Sequence, residues 1–390
     1  MEKPIDSPSR PRRLLGPGPS NVNSRVLQAL GRPILGHLDP KFSNLMHDTQ
    51  NLLRQAFRTS NNVTLPISGT GTAGMEASVA NCVEEGDSVL VGIHGAFGHR
   101  IKAMVERNGG LCTVITAPFG EPLNEKKMLR AAEKCKPKVI AAVHAETSTG
   151  VLQPIECLRE ICDHCDALLL IDTVTSLGGH PLEVDKWKID ICYSGTQKCL
   201  SCPPGLSPIT FSTKAIEKIM TRTGSCKSWY LDLSLIKKYW GPDRTYHHTA
   251  PISMNFGLHE ALTILLEEGL ENSWNRHRTN HEALVKGIEA LGLDMYVSPE
   301  YRLWPLNSVK IPQGINGASV QKQLLEDFNT EIGGGLGELQ GKIWRIGLMG
   351  QNSRPEVVLS CLFALGKTLK YQGFPCNPGL GLQAAADCYA

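Results

Sequence analysis

The sequence predicts an α/β chain, with a large unit built on a mainly parallel, mixed sheet covered by helices and a smaller C-terminal α/β unit. Two observations carry this. From about 62 to 212, short apolar runs alternate with amphipathic stretches of helical length. That β/α alternation builds a sheet with both faces covered. Two of the runs also deliver a charged residue at their carboxyl ends: Leu168-Leu-Leu-Ile-Asp172, and Asp190-Ile-Cys-Tyr-Ser-Gly-Thr-Gln197-Lys198. Open α/β sheets hold their ligands there.

Along the chain, residues 1–13 are rich in Pro and Arg and read as a flexible arm. Leu14-Leu-Gly-Pro-Gly-Pro-Ser20 is a rigid, turn-rich stretch. Phe42, Leu45, Met46, Leu52, Leu53, Ala56 and Phe57 recur at helical spacing and predict a helix over 42–57. Strands are expected at 62–68, 87–93, 111–117, 138–144, 167–172, 190–194 and 207–212, with helices at 72–84, 97–108, 125–135 and 154–165. Residues 257–291 read as helical, with a break near Glu268-Gly-Leu. Strands at 307–311 and 343–348 and helices at 317–327 and 355–370 follow. The expected division is an arm over 1–20, a large domain over 21–279, a small domain over 280–371, and a disordered Gly/Pro/Ala-rich tail over 372–390.

The 390 residues are 41% apolar and 20% charged, which suits a globular protein with a large core. The net charge of +2 and the lack of a basic face interleaved with aromatics argue against nucleic-acid binding. No apolar run reaches the roughly 18 residues of a membrane span. The N-terminus lacks the apolar core of a secretory signal, and the C-terminus is no peroxisomal address. A cytoplasmic protein is expected, with the N-terminal arginines leaving mitochondrial import open. The 13 cysteines are odd in number and scattered, as in a reducing compartment. The pairs Cys162/Cys165 and Cys199/Cys202 have zinc-like spacing but lie too far apart for a compact ribbon, so no metal is expected.

An acid and an amine converging at the carboxyl ends of strands suit pyridoxal phosphate (PLP). The lysine would form the Schiff base, and the acid would keep a proton on the pyridine nitrogen. Other segments fit that site or a blander role. Ser68-Gly-Thr70-Gly71-Thr72 follows a strand and opens a helix, as a phosphate cradle or a plain capped turn would. Phe97 could stack on a flat ring or simply start a helix in the core. Thr147, Ser148 and Thr149 could bond a ring substituent or cap the next loop. The adjacent His247 and His248 would point apart on a helix or strand, which disfavours one shared ion. Arg345 lies in an apolar run and needs a partner. Either a substrate carboxylate or a structural acid would supply it.

These segments together closely resemble the alanine–glyoxylate/serine–pyruvate aminotransferases, class V members of the fold-type I PLP enzymes. The match runs in order over about 14–370. It includes Leu14-Leu-Gly-Pro-Gly-Pro-Ser-Asn21, Ser68-Gly-Thr-Gly71, His144-Ala-Glu-Thr-Ser-Thr-Gly-Val-Leu-Gln-Pro154, Asp172-Thr-Val-Thr-Ser-Leu-Gly-Gly179, Ser194-Gly-Thr-Gln-Lys198, Tyr230-Leu-Asp-Leu, Tyr239-Trp-Gly, Tyr246-His-His-Thr249, Glu268-Gly-Leu-Glu-Asn-Ser-Trp274, Gly333-Gly-Gly-Leu-Gly337 and Arg345-Ile-Gly-Leu-Met-Gly350.

The resemblance implies Lys198 as the Schiff-base residue and Asp172 as the partner of the pyridine nitrogen. Val174 and Phe97 would flank the ring, with Phe97 where the family often has Trp. Thr70, Gly71, Thr72 and Gln197 would surround the phosphate, and Ser148 would lie near the ring hydroxyl. Tyr246 and Thr249 would complete the other subunit's site in a homodimer. Arg345 would grip the substrate carboxylate, with Gly18 lining the pocket. The implied reaction transfers an amino group from alanine or serine to glyoxylate in two half-reactions. Serine–pyruvate, serine–glyoxylate and 3-hydroxykynurenine transamination are alternatives. A desulfurase-like lyase is disfavoured, because Phe97 replaces its stacking His and residues 331–342 hold no Cys. A non-catalytic PLP-binding dimer is the reading from a different class.

Overall fold

The computed structural model describes residues 11–390. Its centre is a seven-stranded sheet in the order Val63–Ser68, Leu206–Phe211, Ile191–Tyr193, Leu168–Asp172, Val139–Val143, Ser88–Ile93, Leu111–Thr116. Leu206–Phe211 runs antiparallel to both its neighbours, and the other pairings are parallel. All seven strands lie within a residue or two of the stretches expected from their apolar runs.

Alternation explains the two cores. Val89, Val91, Val139, Ala141, Leu168 and Leu170 point to one face, where they meet the helices Pro40–Phe57, Gly71–Cys82 and Ala96–Arg107. Leu90, Ile140, Ala142, Leu169 and Ile171 point to the other, against Glu125–Cys135, Glu156–Cys165 and part of Ile252–Glu268. Strands buried on both faces carry apolar residues on both sides, as Val139–Val143 and residues 168–171 do.

The long helical stretch breaks at Gly269, whose φ of +86° is left-handed, into Ile252–Glu268 and Leu270–Ala290. The second helix enters a third core around a four-stranded sheet ordered Arg13–Leu15, Thr330–Gly334, Ile343–Gly347, Leu306–Lys310. Two expectations are corrected here. Of the arm, residues 1–10 lie outside the described residues. Arg13–Leu15, however, is a strand paired in parallel with Thr330–Gly334, and Leu15 is fully buried.

The tail is also ordered. Asn377 caps a helix over Pro378–Ala386 by accepting the Gly379 N–H, with Pro378 in its first turn. The small residues that made the tail look featureless let two helices touch. A Cβ on Gly381 would lie 2.8 Å from Leu291, and one on Gly287 would lie 2.3 Å from Leu362 and 3.0 Å from the Gly381 carbonyl. Tyr389 then donates its hydroxyl to Asn280 Oδ1 at 2.7 Å.

Among the described residues no helix is long and apolar enough to cross a membrane.

Candidate active site

The acid comes from the middle of the large sheet. Asp172 ends its strand 3% exposed. Its Oδ1 accepts the Val174 N–H at 2.8 Å and its Oδ2 accepts the Tyr193 hydroxyl at 2.8 Å. Burial pushes its carboxyl up to about 7. The two hydrogen bonds and Lys198 pull it down, while Glu146 pushes it further up. A buried acid so raised would be relieved by a cation placed against it.

The amine comes from the turn after the neighbouring strand. Lys198 is 8% exposed, and its Nζ donates to the Pro17 carbonyl. Burial pushes the amine down to about 8. Arg345 and Arg100 add to that effect, and Cys199 and Asp172 oppose it. The Gly-Pro-Gly-Pro turn packs directly on this side chain. Gly18 has φ +101°, and a Cβ there would fall 2.5 Å from Lys198 Nζ. No larger residue fits without moving the lysine.

A cavity of about 200 Å³ brings Gly71, Thr72, Phe97, Val174 and Gln197 together with Asp172 and Lys198. The residues present fit a flat, phosphorylated cofactor. Thr70 is the exposed N-cap of the Gly71–Cys82 helix and makes no side-chain cap bond, so the first-turn N–H groups of Gly71 and Thr72 have no side-chain acceptor. Such a helix start attracts an anion. Gln197 Oε1 is buried without a partner. Phe97 and Val174 supply apolar surface, and Arg100 lies 4.9 Å from the Phe97 ring centroid at the cavity wall.

The other predicted residues are placed as follows. Ser148 is buried beside the Phe97 helix, where its Oγ accepts the Ala96 N–H at 2.9 Å and donates to Glu146 at 2.5 Å. Arg345 reaches in from the small sheet, 5% exposed. It donates from Nε to the Gly334 carbonyl at 2.6 Å and from Nη1 to the Thr147 carbonyl at 3.0 Å. Its partners are thus carbonyls, and it joins no ion pair among the described residues. No Asp or Glu hydrogen-bonds to it, and the buried Glu146 favours its charge only at longer range.

Tyr246 and Thr249 do not line this cavity. They stand exposed on the surface, with their hydroxyls 3.3 Å apart. Between them, His247 and His248 do not point apart. They sit in a loop, outside the helix or strand geometry that separates neighbours, and their Nδ1 atoms meet at 2.7 Å. The remaining ring nitrogens face the Trp229 carbonyl and the Ser68 hydroxyl.

Burial pushes the thiols of Cys162, Cys199 and Cys202 each up to about 12. Among the described residues no group of three or more metal-binding side chains converges.

Sequence reasoning missed Tyr193 and Glu146. Tyr193 pairs in register with Asp172, so only the strand pairing reveals it. Glu146 stood inside a motif read for its hydroxyls.

Comparison with known proteins agrees with this geometry. Residues 21–339 match the family model described as "Aminotransferase class-V". The chain is 40% identical over 370 residues to the alanine–glyoxylate aminotransferase of Drosophila melanogaster, covering 93% of each chain. It is 49% identical to the crystal structure of an alanine–glyoxylate aminotransferase from Nostoc, with a TM-score of 0.92 over 95% of this chain and 97% of that one. It is 40% identical to the crystal structure of a ureidoglycine–glyoxylate aminotransferase from Bacillus subtilis, with a TM-score of 0.97 over 99% and 100%. With the Lys198/Asp172 cavity at the carboxyl edge of its sheet, the chain belongs to the class V aminotransferases and is a PLP-dependent transaminase.

Proposed function

We propose that this enzyme moves the amino group of a small amino acid, L-alanine first, to glyoxylate, giving glycine and a 2-oxo acid. The observation that carries the reading is the meeting of Lys198 and Asp172 in one small cavity, with Arg345 bonded to the carbonyl of Thr147 in its wall. The relatives above support the acceptor, since glyoxylate stands in the name of each.

PLP, when bound, supplies an electron sink for the charge left on the substrate α-carbon. The chain's residues do the rest. Lys198, with its amine held near 8, is partly neutral at physiological pH and can take the α-proton on Nζ and give it back. Asp172 would stabilise a positive charge on the ring nitrogen from a buried site where no cation hydrogen-bonds to its carboxylate and Lys198 acts on it only at longer range. Arg345 keeps donor capacity free for a two-pronged grip on the substrate carboxylate. Phe97 and Val174 would hold the ring, Thr70, Gly71, Thr72 and Gln197 would receive the phosphate, and Ser148 would serve the ring hydroxyl. In this reading the active form is a homodimer, in which Tyr246 and Thr249 complete the partner's phosphate site.

A second reading, with ureidoglycine as donor, is favoured by the 0.97 TM-score to the Bacillus enzyme. Measuring kcat/KM for L-alanine, L-serine, 3-hydroxykynurenine and (S)-ureidoglycine, each with glyoxylate, decides between them. Alanine is expected to lead. A ureidoglycine value well above alanine's would replace the first reading with the second.

A further inference from the structure

Glu146 is 0% exposed and forms no ion pair among the described residues. Its Oε1 accepts the Ser148 N–H at 3.0 Å and the Ser148 hydroxyl at 2.5 Å. Its Oε2 accepts the Phe97 N–H at 3.1 Å. The helix that begins at Ala96 has Gly95 as its N-cap, so it has no side-chain cap of its own. Its first-turn N–H groups are instead satisfied from a distant segment: Ala96 by Ser148 and Phe97 by Glu146. The carbonyl of Thr147, between the two, receives Arg345. One short segment therefore anchors the aromatic wall of the cavity and, through the Thr147 carbonyl, Arg345 as well.

We propose that Glu146 is a positioning residue of this active site, locking Ser148 and the start of the Phe97 helix into one wall against which the cofactor ring rests. The inference rests on Phe97 being the ring-stacking residue, as read above. A buried acid serving only as a remote helix cap is the plainer account. The site favours a carboxylate in particular, because both oxygens accept backbone N–H groups, those of Ser148, Phe97 and Gly98. The amide of a glutamine has one oxygen and would set an N–H₂ against the other donor. Gly95 fits the same requirement. A Cβ there would lie 2.3 Å from Glu146 Cδ and 2.4 Å from Ser148 Oγ, so the carboxylate packs directly on the turn.

The test is a double-mutant cycle on the full-length protein with Glu146→Gln, Phe97→Ala and the pair. PLP is titrated into cofactor-stripped protein by visible absorbance, and the visible circular dichroism of the bound cofactor is recorded. Glu146→Gln should weaken PLP binding by about tenfold, the size expected for one stranded buried N–H, and should diminish the dichroism. The loss in the double variant should fall short of the product of the two single losses, because Glu146 acts in part through that ring. Parental affinity and dichroism in Glu146→Gln, or losses that multiply in the double variant, would overturn the proposal. Phe97→Ala binding PLP as tightly as the parent would remove the stacking role and the proposal with it. Glu146→Gln at parental level beside a weakened Phe97→Ala would remove the proposal alone. If Glu146→Gln does not fold, Glu146→Asp, which keeps a carboxylate but shortens its reach to the Phe97 N–H, takes its place in the cycle, and losses that multiply there would overturn the proposal equally.

Discussion

In the proposed cycle, Lys198 owes its reactivity to where it is held. Its surroundings bring the amine down to about 8, some two units below a free lysine at about 10.4. Only the neutral amine attacks an aldehyde. The rate at which the cofactor-free chain captures PLP should therefore rise with pH and level off above about 8. A midpoint near 10.4 would show that burial does not tune this lysine. Arg345 carries the second prediction at this scale. Arg345→Ala should raise KM for amino- and oxo-acid substrates by about 10–100-fold while leaving the cofactor spectrum intact, the range expected for a lost charged hydrogen-bond pair. An unchanged KM would mean that the arginine only braces the carbonyls of Gly334 and Thr147. At this scale the sequence was legible where chemistry and pattern coincide. Asp172 and Lys198 end apolar runs, and charge is conspicuous there. Tyr193 and Glu146 act through partners set by strand register and by a contact across about 50 residues, which no local pattern encodes.

Elements were legible where an apolar run or a helical period was long enough to show, from the buried Val139–Val143 to the half-exposed edge strand Leu111–Thr116. Strands covered on both faces appear as continuous apolar runs, and their bounds follow. The strand Arg13–Leu15 is too short to show a period, and its partner begins at Thr330. The C-terminal helix was hidden by composition, since Gly and Ala read as loop residues until the close approach of Gly287 and Gly381 explains them. Its Asn377-Pro378 start was a readable capping signal. Removing residues 377–390 should uncover the Leu270–Ala290 helix and the Pro355–Tyr371 helix, on which Ala385 and Leu382 pack. The expected loss is about 2–4 kcal/mol, on the scale of one or two buried apolar side chains, seen as a lower melting temperature. An unchanged melt would show that the tail adds nothing to the third core.

For the whole molecule, the exposed ring cluster of Trp229, Tyr230 and Tyr246 has no role within one protomer's cavity. In the proposed homodimer it faces the partner. Mixing inactive Lys198→Ala dimers with Tyr246→Ala/Thr249→Ala dimers, under conditions that exchange subunits, then creates hybrids with one whole site. Restored activity of about a quarter of the parent's is expected, from half the dimers being hybrid and one site in two being whole. No recovery despite proven exchange would mean that each chain builds its site alone.

A transaminase cycle run through Lys198 must show itself in single-turnover spectra. The purified, PLP-loaded enzyme is mixed with L-alanine and no acceptor, and then with glyoxylate. The visible band should convert stoichiometrically to the amino form of the cofactor and return on addition of glyoxylate, and Lys198→Ala should show neither change. A band that L-alanine, L-serine and ureidoglycine all leave untouched, or a Lys198→Ala variant that cycles like the parent, would contradict the account.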